Sequence, residues 1–117
     1  MKATARDITF LKRANMIAKE ARDDGNTPFG AILVDGDGTV LMEQGNAEGE
    51  TGDATAHAEM TLASRASRAY PKEKLWECTL YTTCEPCPMC TGAIYWANIG
   101  RIVYGVSEKQ LLELTGC

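Results

Sequence analysis

Apolar positions along this chain recur first at helical spacing. Between residues 7 and 22, Ile8, Leu11, Ala14, Ile17, Ala18 and Ala21 share one face, which predicts an amphipathic helix. Asp7 is the expected N-cap and Asp24-Gly25-Asn26 the stop. The pattern then changes. Phe29 to Asp35 is a short apolar run rich in β-formers, Asp35-Gly36-Asp37-Gly38 is a turn signal, and Thr39-Val40-Leu41-Met42 returns as a strand. Together they predict a β-hairpin.

Residues 45–53, GNAEGETGD, read as a surface loop. Residues 54–69 are alanine-rich and predict a second helix, with an N-cap at Asp53 or Thr55 and an end at Tyr70-Pro71. A strand is expected over Thr79–Thr83 and a helix over 88–98, with Pro88 at its first position, Cys87 just before it and Gly100 closing it. Arg101–Val106 reads as a strand. Ser107-Glu108-Lys109-Gln110 is a capping box opening a last helix, 108–115. The order α-β-β-α-β-α-β-α implies a single α/β domain over 1–117. It is a three-layer α/β/α sandwich whose mixed sheet starts with a β-hairpin and continues with parallel strands. Ligands in such sheets bind beyond the carboxyl ends of the parallel strands, where the helix starts lie.

Composition places the chain among ordinary soluble domains, with 44% hydrophobic and 24% charged residues. No apolar run approaches the ~20 residues of a membrane helix. MKATARDITFLKR carries no apolar signal core, so a reducing cytoplasm is the expected location. Charge is uneven: residues 23–59 carry nine Asp/Glu and no Lys/Arg, a segment that would repel a polyanion.

Three of the five cysteines fall within CEPCPMC, Cys84 to Cys90. Four readings compete. Buried structural thiols are common. A ferredoxin run would need a further cysteine at position 94, which is Ile. A C-x-x-C redox pair at a helix start is possible chemistry. A catalytic zinc site takes three protein ligands and keeps one position open, and His57, Cys87 and Cys90 are a suitable set. The sole histidine stands in His57-Ala58-Glu59, upstream of Pro86-Cys87-x-x-Cys90, and this joint H-x-E…P-C-x-x-C pattern favours zinc. Residues i and i+2 do not share a helix face, so His57 and Glu59 can flank one site only over a helix end. A site facing two helix N-termini meets that condition and favours thiolates. Cys78 and Cys84 read as buried neighbours.

DATAHAEMTLA and TCEPCPMCTGAIYWANIGRIVYG resemble the cytidine-deaminase-like superfamily, in the branch of guanine deaminases, yeast-type cytosine deaminases and tRNA adenosine deaminases. The likeness runs over roughly residues 7–114. It implies Zn2+ held by His57, Cys87 and Cys90. It implies Glu59 as the proton shuttle, which passes a proton from the attacking water to the ring nitrogen and then to the leaving amine. Asn46 and the Ala58 amide match groups that contact the base. Phe29 and Trp96 match pocket-lining positions, with ordinary core or interface packing the plain alternative for each.

The resemblance implies a hydrolytic deaminase of a free nucleobase or related aminated heterocycle, guanine first. A tRNA adenosine deaminase is the second reading, for which Arg65, Arg68, Lys72 and Lys74 could form a basic patch. A non-catalytic deaminase-like subunit is the third, and the intact Glu59 speaks against it. Relatives usually continue past the last helix with a segment that packs on the sheet and, in guanine deaminases, helps close the pocket. Here the sequence stops at Thr115-Gly116-Cys117, as a compact version or a shortened one. A sheet edge and apolar surface left uncovered imply a homodimer.

Overall fold

The computed structural model describes residues 3–107 and 109–110. Its elements are α1 (Ala5–Asp23), β1 (Gly30–Val34), β2 (Val40–Gly45), α2 (Glu48–Thr51), α3 (Ala58–Ala69), α4 (Lys72–Trp76), β3 (Thr79–Cys84), α5 (Pro88–Ala97) and β4 (Arg101–Val106). The four strands lie in the order β2-β1-β3-β4. β1 is antiparallel to both β2 and β3, and β3 is parallel to β4.

Every residue of β1 is buried because both sheet faces are covered. Alternation sorts its side chains. Ile32 and Val34 join Tyr81 of β3 and Ile17 of α1 on one face. Ala31 and Leu33 join Leu80, with Leu62 of α3 and Ile94 of α5, on the other. These are the three layers that the sequence predicts. Gly30 lets α1 lie close on β1, since a Cβ there would collide with the Ala14 carbonyl and the Ala18 amide. Among the described residues no helix is long and apolar enough to cross a membrane.

Several boundaries differ from expectation, each for a local reason. The N-cap of α1 is Thr4, not Asp7. Asp7 is the third helical residue and closes a capping box, accepting from the Thr4 amide at 3.1 Å while its own amide donates to Thr4 Oγ1 at 3.1 Å. The second long helix starts at Ala58 rather than 54, because the Asp53 carboxylate organises a turn by accepting from the Thr55 amide and hydroxyl. Within the expected loop 45–53, residues Glu48–Thr51 form one helical turn ending at Gly52 with φ 68°. Asn98, with φ 68°, ends α5. Gly100 is needed instead for close approach, as a Cβ would strike the Trp76 carbonyl. The expected helix 108–115 lies outside the described residues apart from Lys109 and Gln110, which are helical. Ser107 and Gln110 do exchange capping hydrogen bonds.

Asp7 also ties α1 to the sheet. Tyr81 Oη donates to Asp7 Oδ1 at 2.7 Å, and the Arg101 guanidinium donates to both carboxylate oxygens at 3.2 and 3.0 Å. The Arg101 and Tyr81 donors hold the buried Asp7 carboxyl well below the usual carboxylate range. A depressed folded-state pKa contributes stability above the unfolded value of ~3.9 and loses it as pH falls below that. Asp7→Ala is expected to destabilise the chain by about 2–3 kcal/mol at pH 7. Thermal or urea unfolding at pH 7 and at pH 3 checks this: the gap between the two proteins shrinks at the lower pH.

Candidate metal centre

Two helix starts converge at the carboxyl end of the parallel pair. β3 ends at Cys84, the Glu85 amide donates to the Val106 carbonyl of β4 at 2.7 Å, and Pro86 forbids helix through Glu85. Cys87 is then the extended N-cap of α5, with Pro88 at the first helical position. His57 is the extended N-cap of α3. Neither N-cap side chain caps its own helix. They turn toward each other instead.

His57 Nδ1 lies 3.7 Å from Cys87 Sγ and 3.6 Å from Cys90 Sγ. The three candidate donor atoms all fall within 4.8 Å of one another. A tetrahedral zinc with Zn–S of ~2.3 Å and Zn–N of ~2.05 Å would separate sulfur from nitrogen by about 3.6 Å. The donor set therefore fits zinc in kind, number and spacing.

Glu59, the second residue of α3, is buried beside this cluster. Burial pushes its carboxyl up, and its own backbone amide pulls the other way. Burial, the Glu59 charge and the neighbouring Cys87 push the Cys90 thiol strongly upward. A bound divalent cation reverses that preference, because it takes the thiolate. The α3 and α5 dipoles both present their positive ends here.

A cavity of about 160 Å3 opens beside the cluster, and Phe29, Asn46, Glu48, His57, Glu59, Cys84, Glu85 and Cys87 line it. The structure thus brings together Phe29, Asn46, His57, Glu59 and Cys87, with Cys90 buried behind. Ala58 is fully buried as the first residue of α3, where its amide lies outside the intrahelical ladder. Trp96 is not among the lining residues. It is 74% exposed and packs edge-to-face on Tyr95, with ring centroids 5.3 Å apart. Cys78 is buried in the core, whereas Cys84 is half-buried and lines the cavity outside the three-donor set.

Sequence reasoning missed Glu48. Its Oε1 accepts from Asn46 Nδ2 at 2.9 Å and lies 3.4 Å from His57 Nε2. The Asn46-x-Glu48 spacing was the available signal, since an Asx turn on Asn46 folds the chain back at Glu48.

The pattern describing the cytidine and deoxycytidylate deaminase zinc-binding region matches residues 4–106. The chain is 41% identical over 110 residues to a probable cytosine deaminase of Schizosaccharomyces pombe, covering 94% of this chain and 66% of that protein. It is 40% identical over 101 residues to a tRNA-specific adenosine deaminase of Agrobacterium fabrum, covering 86% and 66%. The solved structure of guanine deaminase from Bacillus subtilis superposes with a TM-score of 0.80 at 42% identity, covering 92% of this chain and 68% of that one. The chain spans about two thirds of the length of these relatives.

Cys87→Ser is expected to abolish zinc retention and Cys84→Ser to preserve it. Metal content per chain after gel filtration, read by atomic absorption, checks both.

Proposed function

The chain belongs to the cytidine and deoxycytidylate deaminase zinc-binding family, and from that membership we propose that it is a hydrolytic deaminase of a free nucleobase or related aminated heterocycle, guanine first. The observation that carries this reading is the conjunction at two helix starts: a three-donor set with zinc spacing, a buried carboxyl beside it, and a small cavity in front. Bound zinc supplies Lewis acidity that activates water at neutral pH. His57, Cys87 and Cys90 hold it. Glu59 takes the proton from the attacking water and gives it to the ring nitrogen; it then carries the proton of the new C–OH to the amine, which leaves as ammonia as the C–N bond breaks and C=O forms. The Asn46 side chain and the Ala58 amide orient the base, and Phe29 excludes water from one wall.

A free base is favoured over a polynucleotide by charge. Glu48, Glu59 and Glu85 all line the cavity, so a phosphate near its mouth meets like charge. The volume also falls well short of the ~300–1,000 Å3 of drug-sized sites. Two of the four cations considered for a basic patch are engaged elsewhere. Arg65 donates to the Glu43 carbonyl and to Gln44 Oε1, and Lys74 pairs with Asp35 at 3.0 Å.

The active form is a homodimer in this reading. Trp76, Tyr95 and Trp96 are 64%, 72% and 74% exposed and share one surface depression. An aromatic patch of that kind suits burial against a second copy.

The test is ammonia release by zinc-loaded protein from guanine, adenine, cytosine, other aminated heterocycles and a tRNA anticodon stem-loop. Release from a free base is expected, with Glu59→Ala lowering the rate at least ~100-fold. Release from the stem-loop alone would move the chain to the tRNA reading.

A further inference from the structure

Glu48 sits in a stretch whose composition reads as solvated loop, yet its carboxylate stands between two groups of the site. Oε1 accepts from Asn46 Nδ2 at 2.9 Å and lies 3.4 Å from His57 Nε2. The Glu48 amide donates to Asn46 Oδ1 at 2.9 Å, so the residue is held through backbone and side chain together. The turn on Asn46 accounts for the backbone bond. It does not account for a carboxylate reaching the imidazole. Glu50, two residues later in the same short helix, turns elsewhere: its carboxylate accepts from Asn26 Nδ2 at 3.2 Å and its amide donates to Asn26 Oδ1 at 3.1 Å.

The ring chemistry gives Glu48 a task. His57 presents Nδ1 to both thiols. A neutral imidazole that offers its lone pair at Nδ1 carries its proton at Nε2, and that N–H then needs an acceptor. Glu48 Oε1 is the carboxylate oxygen in that position. Such an acceptor fixes the tautomer, stops the ring from turning and makes Nδ1 a stronger donor.

We propose that Glu48 is a positioning residue for the metal centre: its carboxylate holds the His57 ring in the tautomer that ligates through Nδ1, and links that ring to the Asn46 amide through one shared oxygen. The proposal rests on reading His57, Cys87 and Cys90 as zinc ligands. Loss of the carboxylate acts on two groups at once. The ring loses its orientation, and the Asn46 amide loses its acceptor.

The experiment measures zinc affinity of metal-stripped protein by competition with a chromophoric chelator, for the wild type and for Glu48→Ala, Glu48→Gln, Glu50→Ala and Cys87→Ser. No substrate is needed. Glu48→Ala is expected to weaken zinc binding ~10–100-fold. Glu48→Gln, which keeps an oxygen at the same reach without the charge, is expected to lose less. Glu50→Ala is expected to leave affinity unchanged. His57 is the sole histidine, so nitrogen-15 NMR of the zinc-loaded protein reads its tautomer without ambiguity. A protected Nε2 proton is expected in the wild type and not in Glu48→Ala. Unchanged affinity in Glu48→Ala overturns the proposal. So does an equal loss in Glu50→Ala, which would mark a general loosening of residues 46–52. If Glu48→Ala does not fold, Glu48→Gln decides on affinity: zinc bound as tightly as by the wild type would overturn the proposal. Cys87→Ser reports separately on the ligand assignment, since zinc retained there faults that assignment and not the role of Glu48.

Discussion

The site depends on two helices starting at one place. α3 and α5 pack on the same sheet face, and small residues line their shared core: Ala58, Ala63 and Ala66 on α3 and Ala97 on α5. Alanine lets helix backbones approach closely, so two N-termini can serve one cluster. The sheet sets the level at which they do so. β3 and β4 run parallel, and a parallel pair requires a crossover, which α5 supplies. The metal donors, the buried carboxylate and the cavity follow from that arrangement. None of them needs a strained backbone, and the non-glycine residue with positive φ among those described, Asn98, lies at the far end of α5.

Much of this was legible in the sequence because it is local. The change of apolar period from helix to strand at Phe29, the prolines around Cys87 and the joint histidine-cysteine pattern are all short-range signals. The requirement that His57 and Glu59 flank a site over a helix end, rather than along its side, follows from the 3.6-residue turn alone, and the structure has His57 as N-cap. The contacts that were not legible are long-range or depend on side-chain direction. The binding of Asp7 to Arg101 spans 94 positions, and nothing near Asp7 announces it.

Trp96 shows how a sequence likeness and a helical wheel can disagree. Cys90, Ile94 and Ala97 are the buried positions of α5, spaced i, i+4 and i+7. That face points to the sheet and the site. Trp96 falls about 100° from Ala97 around the helix and projects outward. The wheel alone was enough to place it on the outer surface. Glu48 is the opposite case. Its charge and its glycine neighbours suggest solvent; the turn on Asn46 sets its backbone, and its carboxylate then reaches the Asn46 amide and the His57 ring.

The clasp between Asp7, Tyr81 and Arg101 bears on how the chain is made. Its acceptor lies in the first helix and its guanidinium donor in the last described strand. A polypeptide emerging in order from the ribosome offers the carboxylate long before the guanidinium exists. Until Arg101 has emerged, α1 can rest on the hairpin through Ile17 and Ile32 but lacks its final anchor. Contacts of such sequence separation come late and slow the search for the native state. The nascent chain therefore passes through an interval in which the Asp7–Tyr81 pair lacks Arg101 and the outer hydrogen-bonding edge of β3 waits for β4. During that interval the exposed strand edge is open to wrong partners, the condition under which chaperones earn their place.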